Sequence, residues 1–161
     1  MTKILTNINF LKDALPVILV LLAITIICFA ITLIRKKYKW SLYRVDKMNG
    51  DEFENFVKEI YELLGYTVTK TKKSGDQGID LIVKKLFKKT GIQLKRYSSA
   101  VGNSAVQEAV AGKKYYKLDR VCVLTNQTFT KSAIALAKAN GVVLLDRHDL
   151  KKLIIKATKK R

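Results

Sequence analysis

Residues 14–34, ALPVILVLLAITIICFAITLI, carry no charged side chain. A helix rising about 1.5 Å per residue needs about this length to cross the roughly 30 Å hydrocarbon core of a bilayer. Pro16 falls near the start of the run, where a helix tolerates it. A core helix of a soluble protein would present a polar stripe, yet only Thr25 and Thr32 interrupt the apolar surface. A secretory signal has a shorter apolar stretch and a small-residue cleavage site, whereas this run ends at Arg35, Lys36 and Lys37. The expectation is an uncleaved, single-pass transmembrane helix over residues 14–34.

The flanks set its direction. Lys3 and Lys12 face Asp13 on one side. On the other, Arg35, Lys36, Lys37, Lys39, Arg44 and Lys47 face Asp46. Basic flanks stay in the cytoplasm, so residues 1–13 form a short extracytoplasmic N-terminus and residues 35–161 are expected in the cytosol. Tyr38 and Trp40 would rest at the headgroup level. Residues 35–48 read as a basic linker, 49–157 as a folded domain and 158–161 as a basic tail.

The chain has 31 Lys and Arg against 13 Asp and Glu, a formal charge of +18, and nearly all of it lies beyond residue 34. Juxtamembrane lysines contribute roughly 1 kcal/mol each toward anionic lipid. An imbalance of this size in a small domain also points to a polyanionic partner, above all nucleic acid. Cys28 and Cys122 cannot build a disulfide framework, and with His148 they fall short of a structural zinc site. There is no phosphate loop of the G-x-x-x-x-G-K-[ST] type and no nucleophile elbow to make His148 part of a triad.

Apolar residues at Phe53, Phe56, Val57, Ile60, Leu63 and Leu64 recur at three- and four-residue steps. They mark an amphipathic helix capped near Asn49 and closed at Gly65. Strands are expected at 66–69, 79–83 and 92–97, the last two joined through 84–91 as a hairpin. A helix at 103–116 with Asn103 as its cap follows, then a strand at 120–125, a helix at 129–139 ended by Gly141, a strand at 142–145 and a helix at 148–157. This order suits an α/β domain with a mixed central sheet and helices on its faces.

Strand alternation places Gln93 and Lys95 on one face and Ile92 and Leu94 on the other. A hairpin partner would bring Asp80 beside Gln93 and Lys95. A hard divalent cation takes oxygen ligands. Asp80 offers a carboxylate, Gln93 an amide oxygen and Leu94 a backbone carbonyl. Lys95 could bind phosphate or orient a water. Lys84, Lys85, Lys88, Lys89 and Arg96 crowd the same stretch, with no acid between Asp80 and Glu108. They are expected to contact DNA phosphates without reading sequence.

The segment from Gly50 to about Leu153 resembles the catalytic domain of Mrr-type restriction endonucleases, within the PD-(D/E)XK nuclease superfamily. The resemblance rests on Phe53 with Glu54, on LGY at 64–66, SGDQGID at 74–80 and QLKRY at 93–97. It extends through VGN at 101–103, VQE at 106–108, AGK at 111–113, Thr125 with Asn126, and AKANGV at 137–142. It implies a restriction-endonuclease-like fold and catalytic residues Glu54, Asp80, Gln93 and Lys95. Gln93 stands where most of the superfamily has an acid, and Glu54 would approach the metal through water. Gln107 would extend the DNA contact from the second helix, and Asp76 would shape the loop before Asp80. The implied cofactor is Mg²⁺, or Mn²⁺, with no small-molecule cofactor.

The expected function is a membrane-anchored, divalent-metal-dependent DNA endonuclease in restriction or defence, with DNA and the bilayer as partners and a homodimer as the plausible cutting unit. The rivals are a non-catalytic nucleic-acid-binding module on the same fold, a structure-specific nuclease, and a membrane-surface protein whose lysines serve lipid.

Overall fold

The computed structural model describes residues 2–71 and 77–160. The chain divides into two compact units, Met1–Lys39 and Trp40–Arg161. The first unit is one helix, α1 (Thr2–Lys39), which extends beyond the apolar run on both sides. Its segment Ala14–Ile34 is long and apolar enough to cross a membrane, and none of it is buried in protein. The hydroxyls of Thr25 and Thr32 donate to the carbonyls of Leu22 and Phe29 at 2.7 and 2.6 Å. Each hydroxyl is satisfied by its own helix, so it can lie in hydrocarbon without an unmet donor.

The second unit runs α2 (Leu42–Val45), α3 (Gly50–Leu63), β1 (Thr67–Lys70), β2 (Leu81–Lys85), β3 (Lys88–Lys95), α4 (Asn103–Tyr115), β4 (Arg120–Thr125), α5 (Lys131–Asn140), β5 (Val143–Leu145) and α6 (Arg147–Lys159). The sheet is mixed, in the order β1-β2-β3-β4-β5. Strands β1, β2 and β3 pair antiparallel, and β3, β4 and β5 pair parallel. Helices cover both faces, as the alternation of apolar residues requires. Leu81, Val83, Ile92 and Leu94 pack with Phe53, Val57 and Ile60 of α3 and Leu150 and Ile154 of α6. Val121 and Val123 turn the other way, onto Val106 and Ala109 of α4 and Ala133 and Ala137 of α5.

Local signals explain the helix ends. Asn49 accepts from Glu52 N while the Glu52 carboxylate accepts from Asn49 N, a reciprocal cap on α3. Gly141 closes α5 at φ +64, a conformation that glycine adopts without penalty. Helix α4 differs from expectation: its cap is Gly102, and Asn103 is already inside the helix. The hairpin differs too. Lys85 pairs with Lys88, so the strands run on through the basic residues and only Leu86 and Phe87 form the turn. Asp76 and the rest of residues 72–76 lie outside the described residues.

Part of the stretch expected as linker is core. Trp40 is 8% exposed and packs on Phe56 at 5.4 Å between ring centroids. Val45 and Met48 are buried beside it. The burial of these three side chains decides the outcome over the surrounding basic residues, and it removes Trp40 from the headgroup role expected of it. Asp46 then becomes a tie across the domain. Its carboxylate accepts from both terminal nitrogens of Arg147 at 2.7 and 2.8 Å and from Asn126 Nδ2 at 3.0 Å. Hydrogen bonds from Arg147, with Asn126 and Arg96 behind them, hold the Asp46 carboxyl below its ordinary value against the opposing pull of burial.

Asp46→Ala is expected to lower stability by about 1–2 kcal/mol, the range for a charge-assisted pair that is still partly solvated. Urea denaturation measures this. Because the folded-state pKa is depressed, the contribution is present above the unfolded value of about 4 and disappears as pH falls through the lower folded value. The variant should therefore lose less stability than the wild type on acidification through that window.

Candidate active site

The approach of Asp80 to the sheet is set by close packing of the preceding turn. Gln77 and Gly78 adopt φ +49 and +79. A Cβ on Gly78 would press into the Glu108 carbonyl of α4, and one on Gly112 would meet Ile79 and the Gln77 carbonyl. Two glycines thus let the turn lie directly on α4. Thr71 secures its exit: its hydroxyl donates to the Ile79 and Asp80 carbonyls at 2.5 and 3.1 Å, and its amide donates to the Asp80 carbonyl at 3.0 Å.

The β2–β3 register does the rest. Leu81 pairs with Ile92, so one further antiparallel step sets Asp80 opposite Gln93. Asp80 N donates to the Ile92 carbonyl at 3.0 Å, and Leu94 N donates to Asp80 Oδ2 at 2.6 Å. Charge-assisted bonds of this kind are short and strong, and this one fixes the carboxylate.

Gln93 and Lys95 share the α4 face. Gln93 is 4% exposed, and its Oε1 is buried without a hydrogen-bond partner among the described residues. An unmet buried acceptor costs about 1–3 kcal/mol. Lys95 Nζ lies 2.7 Å from Glu108 Oε2. Burial works against the ammonium, but the hydrogen bond and charge of Glu108, with Tyr97 and Asp80, outweigh it and raise the Lys95 pKa. The lysine is therefore a fixed cation at neutral pH.

These groups suit a hard divalent cation through one carboxylate, one unsatisfied amide oxygen and backbone carbonyls. Among the described residues there is no cluster of three His, Cys, Asp or Glu that could hold a metal ion, so a cation here would depend on one carboxylate with neutral oxygens.

The structure distributes the other candidates. Glu54 on α3 is engaged by Lys70 Nζ at 2.9 Å, and the same amine donates to Asn55 Oδ1 at 3.0 Å. Arg96 alternates to the opposite face from Lys95 and donates to the Asp46 carbonyl at 3.3 Å, which makes it a member of the Asp46 network. Gln107 is exposed and lines an apolar pocket with Val110, Ala111, Leu136 and Asn140, between α4 and α5. The four hairpin lysines split by face. Lys84 and Lys89 pair across the strands and line a groove with Thr67, Thr69, Ile82 and Tyr116 on the Lys95 face. Lys85 pairs with Lys88 on the other face, where its ammonium lies 4.9 Å from the Tyr66 ring centroid.

Glu108 is the residue that sequence reasoning missed. Its signal was present in the helix period. Ala105, Ala109 and Gly112 are buried on α4, and position 108 stands three and four steps from Ala105 and Gly112, next to that stripe. Gln107 is turned about 100° away from it.

A family model described as "Restriction endonuclease" matches residues 45–154. Among solved structures, AF1548, described as a protein of unknown function, shares 15% identity at a TM-score of 0.55, covering 66% of this chain and 65% of that one. AspBHI, a DNA modification-dependent restriction endonuclease, shares 19% identity at a TM-score of 0.57, covering 77% of this chain and 36% of that one. MspJI, a restriction endonuclease solved with a 27-mer oligonucleotide, shares 17% at a TM-score of 0.52, covering 74% and 30%. The chain thus spans just under two thirds of AF1548 and about a third of the two endonucleases. These likenesses establish a restriction-endonuclease-like fold. No curated protein matches the sequence.

Glu108→Gln is expected to lower the Lys95 pKa, since it removes the hydrogen-bonded charge that offsets burial. The check is a titration of the Lys95 side chain by NMR. An unchanged midpoint would refute Glu108 as the group that holds the lysine charged.

Proposed function

This chain belongs to the Mrr catalytic-domain family of restriction endonucleases, and from that premise we propose that it is a membrane-anchored DNA endonuclease that hydrolyses phosphodiester bonds with a divalent cation. The observation that carries the reading is the buried, unpartnered Oε1 of Gln93, one register step beyond the Leu81–Ile92 pair and so opposite Asp80. Asp80, Gln93 and the Leu94 carbonyl are the oxygens that would hold Mg²⁺ or Mn²⁺. When bound, such an ion supplies a water of lowered pKa and neutralises charge building on the phosphate.

The chain's own groups position and stabilise. The Leu94 amide keeps the Asp80 carboxylate aimed. Lys95, held charged by Glu108, meets the scissile phosphate as a preorganised cation, which is the kind of interaction that contributes most to catalysis in a partly desolvated site. Glu54 adds negative charge at the margin through a water, with Lys70 setting its position. Lys84 and Lys89 bind backbone phosphates on the same face. The segment Ala14–Ile34 spans the bilayer, and the basic residues that follow it keep the nuclease unit in the cytoplasm. A double-strand cut takes two such sites, so the cutting unit is a homodimer.

Plasmid incubated with the protein and Mg²⁺ or Mn²⁺ should be nicked, and chelation should stop it. Asp80→Ala and Lys95→Ala should each reduce the rate by about a hundredfold or more. Equal cleavage by wild type and both variants would sink the catalytic assignment. Binding retained by all three with no cleavage would leave a nucleic-acid-binding module in its place.

Lys84→Gln and Lys89→Gln should each flatten the log–log salt dependence of DNA affinity by about one. Rates at saturating DNA should stay at the wild-type level. Filter binding across a salt series provides the measurement.

A further inference from the structure

The turn of the β2–β3 hairpin is the least protected apolar surface of the second unit. Leu86 is 83% and Phe87 96% exposed, more than any other large hydrophobic residue described between Trp40 and Lys160. Leu86 also adopts φ +54, a left-handed conformation that is strained for a non-glycine residue. A two-residue hairpin turn ordinarily takes Asn-Gly or Gly-containing pairs. This one sets two large apolar side chains into solvent on a strained backbone, with Lys85 and Lys88 paired directly behind them.

The tip lies away from the catalytic groups. Asp80 immediately precedes β2 and Lys95 ends β3, so the strands carry the turn about 20 Å from them at roughly 3.4 Å per residue. Apolar residues at a tip with lysines just behind match the layering of a membrane interface, where rings and aliphatic chains enter the acyl boundary and ammonium groups stay among anionic headgroups.

A bilayer is also within reach. Only residues 35–39 separate Ile34, the last residue of the apolar span, from Trp40, the first of the folded unit. Even fully extended, that stretch reaches only about 20 Å.

We propose that Leu86 and Phe87 insert into the interface of an anionic membrane, with Lys85 and Lys88 on the headgroups, as a second point of attachment beside the transmembrane helix. This rests on the membrane-anchor reading.

The test uses the full chain reconstituted in vesicles. Cys28→Ser removes the exposed thiol, and the remaining Cys122 is buried. An environment-sensitive fluorophore is placed through Phe87→Cys, with Lys138→Cys on exposed α5 as the control position. In vesicles containing phosphatidylserine, the label at position 87 should shift to the blue and be quenched by a lipid-borne quencher, while the label at 138 stays aqueous. Lys85→Gln with Lys88→Gln should remove most of that quenching. Far-UV circular dichroism and a cooperative thermal transition for each variant verify that it is folded.

A label at 87 that remains aqueous in a chain that floats with the vesicles overturns the tip contact alone. A chain that does not float even with neutral vesicles overturns the anchor, and the tip contact with it. A label that leaves water only when duplex DNA is added, in neutral vesicles, overturns the lipid assignment and makes the tip a wedge between base steps.

Discussion

The antiparallel register of β2 against β3 is the constraint from which the rest of the domain follows. With Leu81 opposite Ile92, every second residue of both strands enters the core formed with α3 and α6. The intervening ones face α4. The same register brings Asp80, Gln93 and Lys95 to one face. A slip of one residue would send Gln93 and Lys95 into the apolar core and Ile92 and Leu94 out of it. The core therefore enforces the geometry of the site, since the apolar residues that forbid the slip alternate with the polar ones that need the pairing.

The polar groups of the site are held without being fully satisfied. Asp80 receives the Leu94 amide and Lys95 receives Glu108, while Gln93 keeps a buried oxygen unmet. A fully satisfied network would be more stable and would have nothing to offer a ligand. The Asp46 network differs: Asp46, Asn126 and Arg147 meet one another's donors and acceptors across the ends of α6 and β4. The contrast separates a network that closes the structure from one that leaves an acceptor open.

Much of this was legible in the sequence, for physical reasons that differ by element. The period of α3 and its cap at Asn49, the strand at 120–125 and the glycine closing α5 are local signals, and local signals survive folding. The resemblance carried in SGDQGID and QLKRY pointed to Asp80, Gln93 and Lys95, which the register then brings together. What could not be read was non-local. Trp40, Val45 and Met48 lack a clean period and stand among lysines and arginines, so their burial depends on partners far along the chain. Glu54 finds Lys70, and Arg96 finds the Asp46 carbonyl, across separations that no spacing rule spans. The choice between Gln107 and Glu108 turns on one step of helical rotation, which becomes decisive only once the face of α4 that meets the turn is known.

That contact between α4 and the turn before Asp80 has a consequence for how the site assembles. The hairpin bearing Asp80 and Gln93 closes over a short loop, whereas Glu108 arrives on a crossover helix that must swing over the sheet between β3 and β4. Short closures precede long ones during folding. A chain still emerging from synthesis holds the acid and the amide but lacks the counter-charge that keeps its lysine poised. Until the crossover docks, Lys95 lacks the carboxylate that Glu108 brings to it.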